Sequence, residues 1–230
     1  MEKKKKSRAR SQVDKDAQLE RIIEEGKNLF VTRGTYGFGM RELARRLDMS
    51  EANLYNYVDS KRELWTAIRT KYFKQYRDDV DDLIKKHKGS IVDLGVKWAE
   101  YFLEFASADY LRFQMMYLVP PPKSKEVESQ EKSKELESQK KSYEPLHLME
   151  SGLNAIKETF KMEGINEAEI TEFFFYMFGI FFGAANIESF LKIRSKILAP
   201  IKIGSEVFSP ERFRKYALRQ IKNQLEQLVK

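Results

Sequence analysis

The side chains best suited to chemistry lie between Gly34 and Lys61, and they suit recognition rather than bond making. Asn53 and Asn56 can each present an amide to the edge of an adenine, while the hydroxyls of Tyr55 and Tyr57 suit phosphate oxygens. Ser50 and the backbone N–H groups just after it suit a phosphate as well. Such residues need a scaffold. Met40-Arg41-Glu42-Leu43-Ala44-Arg45-Arg46-Leu47 reads as a short helix with Leu43, Ala44 and Leu47 on one face, and Asp48-Met49-Ser50 breaks it. Ser50 then caps a second short helix, predicted over 51–57. Its Leu54 and Val58 tie it to the first helix and leave Asn53, Tyr55, Asn56 and Tyr57 pointing elsewhere. Two short helices joined this way form the helix-turn-helix pattern, in which the second helix enters the major groove of DNA.

The flanking elements read as helices too. Leu19, Ile22, Ile23, Leu29 and Phe30 recur at three- and four-residue steps, which predicts an amphipathic helix from about Asp14 to Thr32, ended at Gly34. Asp59-Ser60 caps a longer helix carrying Leu64, Trp65, Ile68, Tyr72 and Phe73. Ser90-Ile91-Val92-Asp93 resembles a capping box that opens a helix through Phe105. Asp109 caps another as far as Leu118, where Pro120-Pro121-Pro122 stops it. Residues 123–142 are Lys, Glu, Ser and Gln apart from Val127 and Leu136, and read as a charged, flexible insertion. Further helices are expected from about Tyr143 to Met162, from Asn166 through Leu191, and over a final stretch carrying Phe213, Ala217, Ile221, Leu225 and Leu228. With alternation rare, the chain reads all-α. The expected organisation is a disordered basic arm (1–12), a three-helix helix-turn-helix domain (13–62) and a larger helical domain (63–230).

Composition excludes more than it selects. There is no Cys, and the only two His are His87 and His147, so disulfides, a thiolate nucleophile and a multi-histidine metal site drop out. No Gly-rich phosphate loop and no nucleophile–base constellation is present, which argues against an enzyme and implies no cofactor. The net charge is +7, but residues 1–12 hold six Lys+Arg and one Glu, so the tail accounts for +5 and the remainder for +2. That tail could reach phosphates or the minor groove. The most apolar run, Phe173 to Ile187, is shorter than the roughly 18–20 residues of a spanning helix and is closed by Glu172 and Glu188. It reads as a buried helix. The expectation is a cytoplasmic protein with no membrane partner.

Met40-Arg41-Glu42-Leu43-Ala44 followed by Met49-Ser50-Glu51-Ala52-Asn53-Leu54-Tyr55-Asn56-Tyr57-Val58-Asp59-Ser60-Lys61-Arg62-Glu63-Leu64 resembles the DNA-binding domain of TetR-type (tetracycline-repressor-like) regulators. Phe30 with Gly34 before it fits the same pattern, and the likeness covers about residues 14–73. By this resemblance, Tyr55 and Tyr57 meet phosphate or brace the recognition helix, and Lys61 meets a phosphate. Asn53 and Asn56 approach base edges, and Arg41 sits near the start of the supporting helix. Three positions depart from the family pattern. Gly39 stands where Ser or Thr usually caps, Ala52 where Gly is usual, and Val58 where Phe is common.

The resemblance further implies a homodimer formed through the last two long helices, matched to a palindromic operator in double-stranded DNA. It also implies an inducer pocket among the central helices. Candidates for its lining are Trp98, Tyr101, Phe102, Phe105, Phe113, Met116, Tyr117, Phe174, Met177, Phe178 and Phe181, a set that suits a hydrophobic small-molecule effector such as an acyl chain or acyl-CoA. The expected function is a ligand-responsive repressor. The alternative is a ligand-independent, architectural DNA-binding protein.

Overall fold

The structure, a computed structural model, describes residues 2–123, 154, 167–198, 201–203 and 206–228. Eight helices are described: α1 (Glu2–Arg33), α2 (Met40–Arg46), α3 (Glu51–Leu54), α4 (Lys61–Lys86), α5 (Ile91–Ala108), α6 (Tyr110–Tyr117), α7 (Glu167–Ile197) and α8 (Pro210–Leu228). Between α7 and α8 lie β1 (Ile201–Ile203) and β2 (Glu206–Phe208), paired antiparallel with Ile201 opposite Phe208 and Lys202 opposite Val207. Among the described residues the fold is all-α apart from this hairpin. The helix expected over 143–162, and the charged insertion from 124 to 142, lie outside the described residues.

Three boundaries differ from the sequence reading, each for a physical reason. The basic arm expected to be disordered is continuous with α1, which starts at Glu2. No Gly or Pro occurs before Gly26, and Lys, Arg, Gln, Glu and Ala are strong helix formers. Like-signed charge does not forbid a helix; it only leaves the helix without a face to bury. Second, α3 stops at Leu54, and the chain tightens through Asn56 N–H to Asn53 C=O (3.2 Å) and Tyr57 N–H to Leu54 C=O (3.0 Å). Third, α7 runs six residues past Leu191, and the strands follow. Their signal was the Ile-Lys-Ile alternation, then Gly204-Ser205, then Glu-Val-Phe, the pattern of a hairpin with a two-residue loop.

The capping box is present as read. The Ser90 hydroxyl accepts from the Asp93 N–H and the Asp93 carboxylate accepts from the Ser90 N–H. The Ser90 hydroxyl also donates to the Asp93 carboxylate (2.7 Å), and this bond first, then the one from the Ser90 N–H, holds the Asp93 carboxyl below its ordinary range.

The chain divides into two compact units. One comprises Met1–Lys74 with Leu111–Glu144, the other Gln75–Tyr110 with Pro145–Lys230. In the first, α1 lays Ile22, Ile23, Leu29 and Phe30 into a core shared with Leu43, Ala44, Leu54, Leu64, Trp65 and Ile68. Phe113, Met115 and Met116 of α6 are buried in the same unit. The segment after α6 is tied in by its carbonyls: Thr35 Oγ1 donates to Pro120 (2.6 Å) and Trp65 Nε1 to Val119 (3.2 Å).

In the second unit α5, α7 and α8 pack on one another, burying Leu94, Phe102 and Leu103 with Met177, Ala184, Ala185, Ala217 and Ile221. A charge is buried among them. Glu188 of α7 is 2% exposed and takes a bidentate pair from Arg214 of α8, Nε at 2.9 Å and Nη2 at 2.6 Å. The same guanidinium reaches Glu104 (2.7 Å) and the Ser107 hydroxyl (2.9 Å) of α5, and Lys192 also approaches Glu188 (3.0 Å). One Arg therefore fixes three helices in rotation and register. Hydrogen bonding from Arg214 depresses the Glu104 carboxyl, and the Glu188 carboxylate is the first cause that raises the guanidinium.

The same interaction bears on the membrane question. By length and composition Thr171–Ile197 is long and apolar enough to cross a membrane, although the apolar run counted in the sequence was shorter than a span. Yet α7 carries Glu188 on its buried face, locked to α8. That is the arrangement of a helix packed on protein.

Replacing Arg214 with Met strands the Glu188 charge with Lys192 alone and is expected to cost about 3 kcal/mol. The double variant R214M/E188L is expected to recover most of that loss. Urea unfolding of both variants checks the pair. Because Glu104 is depressed in the folded state, its contribution is present above the ordinary Glu range and fades as pH falls through the folded value. Removing Arg214 should therefore flatten the acid limb of the stability curve.

Candidate nucleic-acid interface

The first unit holds a four-residue helix in a fixed attitude, and the turn before it does most of the holding. At the end of α2, Met49 N–H reaches the Ala44 carbonyl (3.0 Å) and Asp48 N–H the Arg45 carbonyl (3.3 Å), the double bond of a Schellman motif. Asp48 occupies its left-handed position with φ +55°, where glycine is commoner. Ser50, extended at φ −72° and ψ 151°, then accepts the Asn53 N–H at its hydroxyl (3.2 Å). Burying Leu54 and Val58 clamps the short helix from below.

What remains outside is polar and unspent. Arg41, Ser50, Ala52, Asn53, Tyr55 and Asn56 are exposed, Tyr55 to 42%, and Tyr57 is half-buried. The side chains of Arg41, Asn53, Tyr55, Asn56 and Tyr57 make no hydrogen bond or ion pair among the described residues, whereas nearby Arg46 is spent on Glu25 (2.8 Å) and Glu42 (3.5 Å). Donors left unpaired around a buried Leu54–Val58 clamp are free to meet an external acceptor.

Lys61, expected to meet a phosphate, also has a partner within the protein. Its ammonium donates to the Phe38 carbonyl (2.5 Å) and sits 3.8 Å from the centre of the Phe38 ring, and burial lowers its pKa. It secures the loop before α2 to the first turn of α4. That loop is tight: Gly34 has φ +72°, and a Cβ on Gly37 would lie 1.9 Å from the Arg33 carbonyl oxygen. Gly39 caps α2 with no side-chain bond, as its identity dictates.

The inducer-pocket candidates divide between the units. Phe113, Met116 and Tyr117 belong to the first, where Phe113 and Tyr117 are 5.0 Å apart and Tyr117 meets Phe73 at 5.5 Å. Trp98, Tyr101, Phe102, Phe105, Phe174, Met177, Phe178 and Phe181 belong to the second. There Trp98 packs on Phe174 (5.6 Å), Tyr101 on Phe105 (5.9 Å), and Phe102 on Phe178 and Phe181 (both 6.1 Å). Sequence reasoning missed Tyr76 at this cluster. Its buried hydroxyl accepts from Trp98 Nε1 (2.7 Å), and burial pushes its pKa well above the ordinary tyrosine value. Its place one turn beyond Tyr72 on α4 was the available signal.

A helix-turn-helix reading unit on a helical body is the class that fold and site define. Residues 22–68 match the family model described as bacterial regulatory proteins, tetR family. An HTH-type transcriptional regulator of Xanthobacter autotrophicus is 35% identical over 60 residues, which are 26% of this chain and 30% of that protein. The match thus spans under a third of that relative's length. Among solved structures, FadR of Bacillus subtilis in complex with stearoyl-CoA aligns over 89% of this chain and 98% of its own, with a TM-score of 0.59 and 10% identity. AibR in complex with isovaleryl coenzyme A and operator DNA aligns over 88% and 97%, with a TM-score of 0.55 and 14% identity. At such identities these two show the fold. Residues 22–68 thus resemble the DNA-binding domain of the tetR family of bacterial regulatory proteins.

Two substitutions probe the scaffold without touching the reading face. A Cβ at Gly39 meets nothing within 4 Å and its φ is −120°, so Gly39→Ser is expected to add a cap and gain about 0.5–1 kcal/mol. Asp48→Gly relieves the left-handed position and is expected to gain a similar amount, about 0.5–1 kcal/mol. Thermal denaturation of each variant measures the gain; a loss at either position would contradict the cap geometry given above.

Proposed function

We propose that the chain is a ligand-responsive transcriptional repressor that binds a palindromic operator as a homodimer and releases it when a hydrophobic small molecule is bound. The observation that carries this reading is the unspent donor set Arg41, Asn53, Tyr55 and Asn56 held outward over the buried Leu54 and Val58. Operator DNA and isovaleryl coenzyme A are bound by AibR, and stearoyl-CoA by FadR of Bacillus subtilis, which supports an acyl chain or acyl-CoA as effector here. A DNA partner places the protein in the cytoplasm, and no catalytic step enters its action.

Dimerisation is assigned to α7 and α8. The outward face of α7 exposes Tyr176, Ile187, Phe190, Ile193 and Ile197, a stripe too apolar to suit water. Gly179 and Gly183 lie among them, and a Cβ at either would meet nothing within 4 Å, leaving room for a helix of a second copy to approach. A second reading has its own support. The rings of the second unit pack on one another, Trp98 on Phe174 and Phe102 on Phe178 and Phe181, which supports a structural role for them in a ligand-independent architectural protein. Adding acyl-CoAs of increasing chain length to the DNA complex separates the two, because only the effector reading predicts release.

Gel shifts on the gene's own upstream region test DNA reading directly. Asn53→Ala and Asn56→Ala are each expected to cost about 1–3 kcal/mol of discrimination between that region and scrambled DNA. Equal binding of wild type to both duplexes would end the operator reading. For the dimer, Gly183→Leu is expected to yield a folded monomer by light scattering and circular dichroism. A dimer of unchanged strength would move the interface elsewhere.

A further inference from the structure

The chain contains no Cys, so thiol chemistry is closed to it, but its eight Met supply another oxidisable sulfur. Among the described residues four of these side chains are sealed in the core: Met40 is 8% exposed, Met115 0%, Met116 1% and Met177 4%. Met49 is the exception. It is half-buried, and it sits in the turn between α2 and α3, directly before the Ser50 cap. It also lines a groove of about 610 Å³ shared with Asp14, Lys15 and Arg21 of α1 and with Asn53 of α3. Those four residues are exposed, so the groove opens to solvent. A water takes about 30 Å³ of the liquid, so a peroxide molecule, little larger, has room to enter. The sulfur is held in place there. Gln18 Nε2 donates to Met49 Sδ (3.2 Å), and Arg21 donates to the Gln18 amide oxygen (3.1 Å). Gln18 engages one sulfur lone pair and leaves the other for an electrophilic oxygen.

We infer that Met49 is an oxidation site through which hydrogen peroxide reversibly loosens the DNA-reading turn. In the step, the free lone pair of the sulfur attacks one peroxide oxygen, and an S–O bond forms as the O–O bond breaks. The departing oxygen leaves as hydroxide, takes the proton shed by the transferred oxygen and becomes water. The sulfur gives up two electrons and the peroxide gains them. The product is a sulfoxide, polar and chiral where the thioether was apolar. Its oxygen does not fit between its neighbours. An N–H···O bond spans about 2.9 Å, and the Gln18 nitrogen already stands 3.2 Å from the sulfur itself. Either the Met49 side chain swings away from α1 or the oxygen turns into the groove beside Asn53. Both outcomes bear on the turn. Met49 N–H makes one of the two bonds that close it on α2, and Ser50 beside it caps the Asn53 N–H. With four residues, α3 has little else to hold it than the burial of Leu54 and Val58. The consequence for binding rests on the operator reading above, whereas the oxidation itself does not depend on DNA.

The test treats full-length protein with graded hydrogen peroxide and follows each methionine by peptide mass spectrometry. Met49 should gain one oxygen at doses that leave Met40, Met115, Met116 and Met177 unchanged. Binding is then read on a duplex selected by the untreated wild type from a randomised pool. Affinity should fall roughly tenfold, the lower part of what one lost bidentate base contact costs. It should return after treatment with the two methionine sulfoxide reductases, one for each sulfoxide epimer. Met49→Leu keeps most of the apolar volume without the sulfur, and its affinity should not respond to peroxide. Met49→Gln carries a permanent polar oxygen and should bind about as weakly as the oxidised wild type. Oxidation of Met49 no faster than that of the buried methionines overturns the inference. So does an affinity unmoved by that oxidation, or a Met49→Leu variant that loses affinity as the wild type does. If the untreated wild type selects no sequence, the operator reading falls and the release with it, while the mass shift still decides the site. Circular dichroism of the oxidised protein should keep its helical signal; a lost signal would mean general unfolding and would also overturn the inference.

Discussion

A helix of four residues cannot hold itself up, and the function read from this structure depends on one that does not have to. Helix nucleation is unfavourable, and a single turn in water has almost no population. α3 is fixed instead by burial of Leu54 and Val58, worth about 1.5–3 kcal/mol each, and by a turn whose two backbone bonds leave α2 no alternative exit. Asp48 accepts a left-handed backbone to make that turn, which places strain where the geometry of reading is decided. Everything exposed on α3 is then free of structural duty.

The second unit solves a related problem with charge. α5, α7 and α8 could slide on one another if only Leu, Phe and Ala met between them, because apolar contacts specify position weakly. Arg214 removes that freedom by bonding Glu188, Glu104 and Ser107 at once. Burying such a pair adds little net stability, yet it gives α7 a defined rotation. That rotation decides which face carries Met177 and Ala184 inward and which leaves Phe190 and Ile197 outside. The apolar outer stripe follows from the polar inner lock.

How much of this was readable from the chain varied with the kind of information involved. Local signals were legible: the all-α class, the Ser50 cap, the Ser90–Asp93 box and the break at Asp48 all follow from side-chain chemistry within a few residues. Signals that depend on tertiary partners were not. The bond from the Lys61 ammonium to the Phe38 carbonyl could not be read, because the two residues are brought together only by the fold. Glu188 looked like the polar end of an apolar run, because its partner Arg214 is remote in sequence. The basic arm was misread for a different reason. Its charge was weighed and its helix propensity was not. The hairpin was overlooked because strands of three residues give too few alternations to stand out among long helices.

The central claim is that two copies of the reading face engage DNA together. Hydroxyl-radical footprinting of the full-length protein on a selected duplex measures this most directly. The account predicts two symmetric protected patches with centres one helical turn apart, about 34–36 Å. A single unpaired patch, or even protection along the whole duplex, would contradict it.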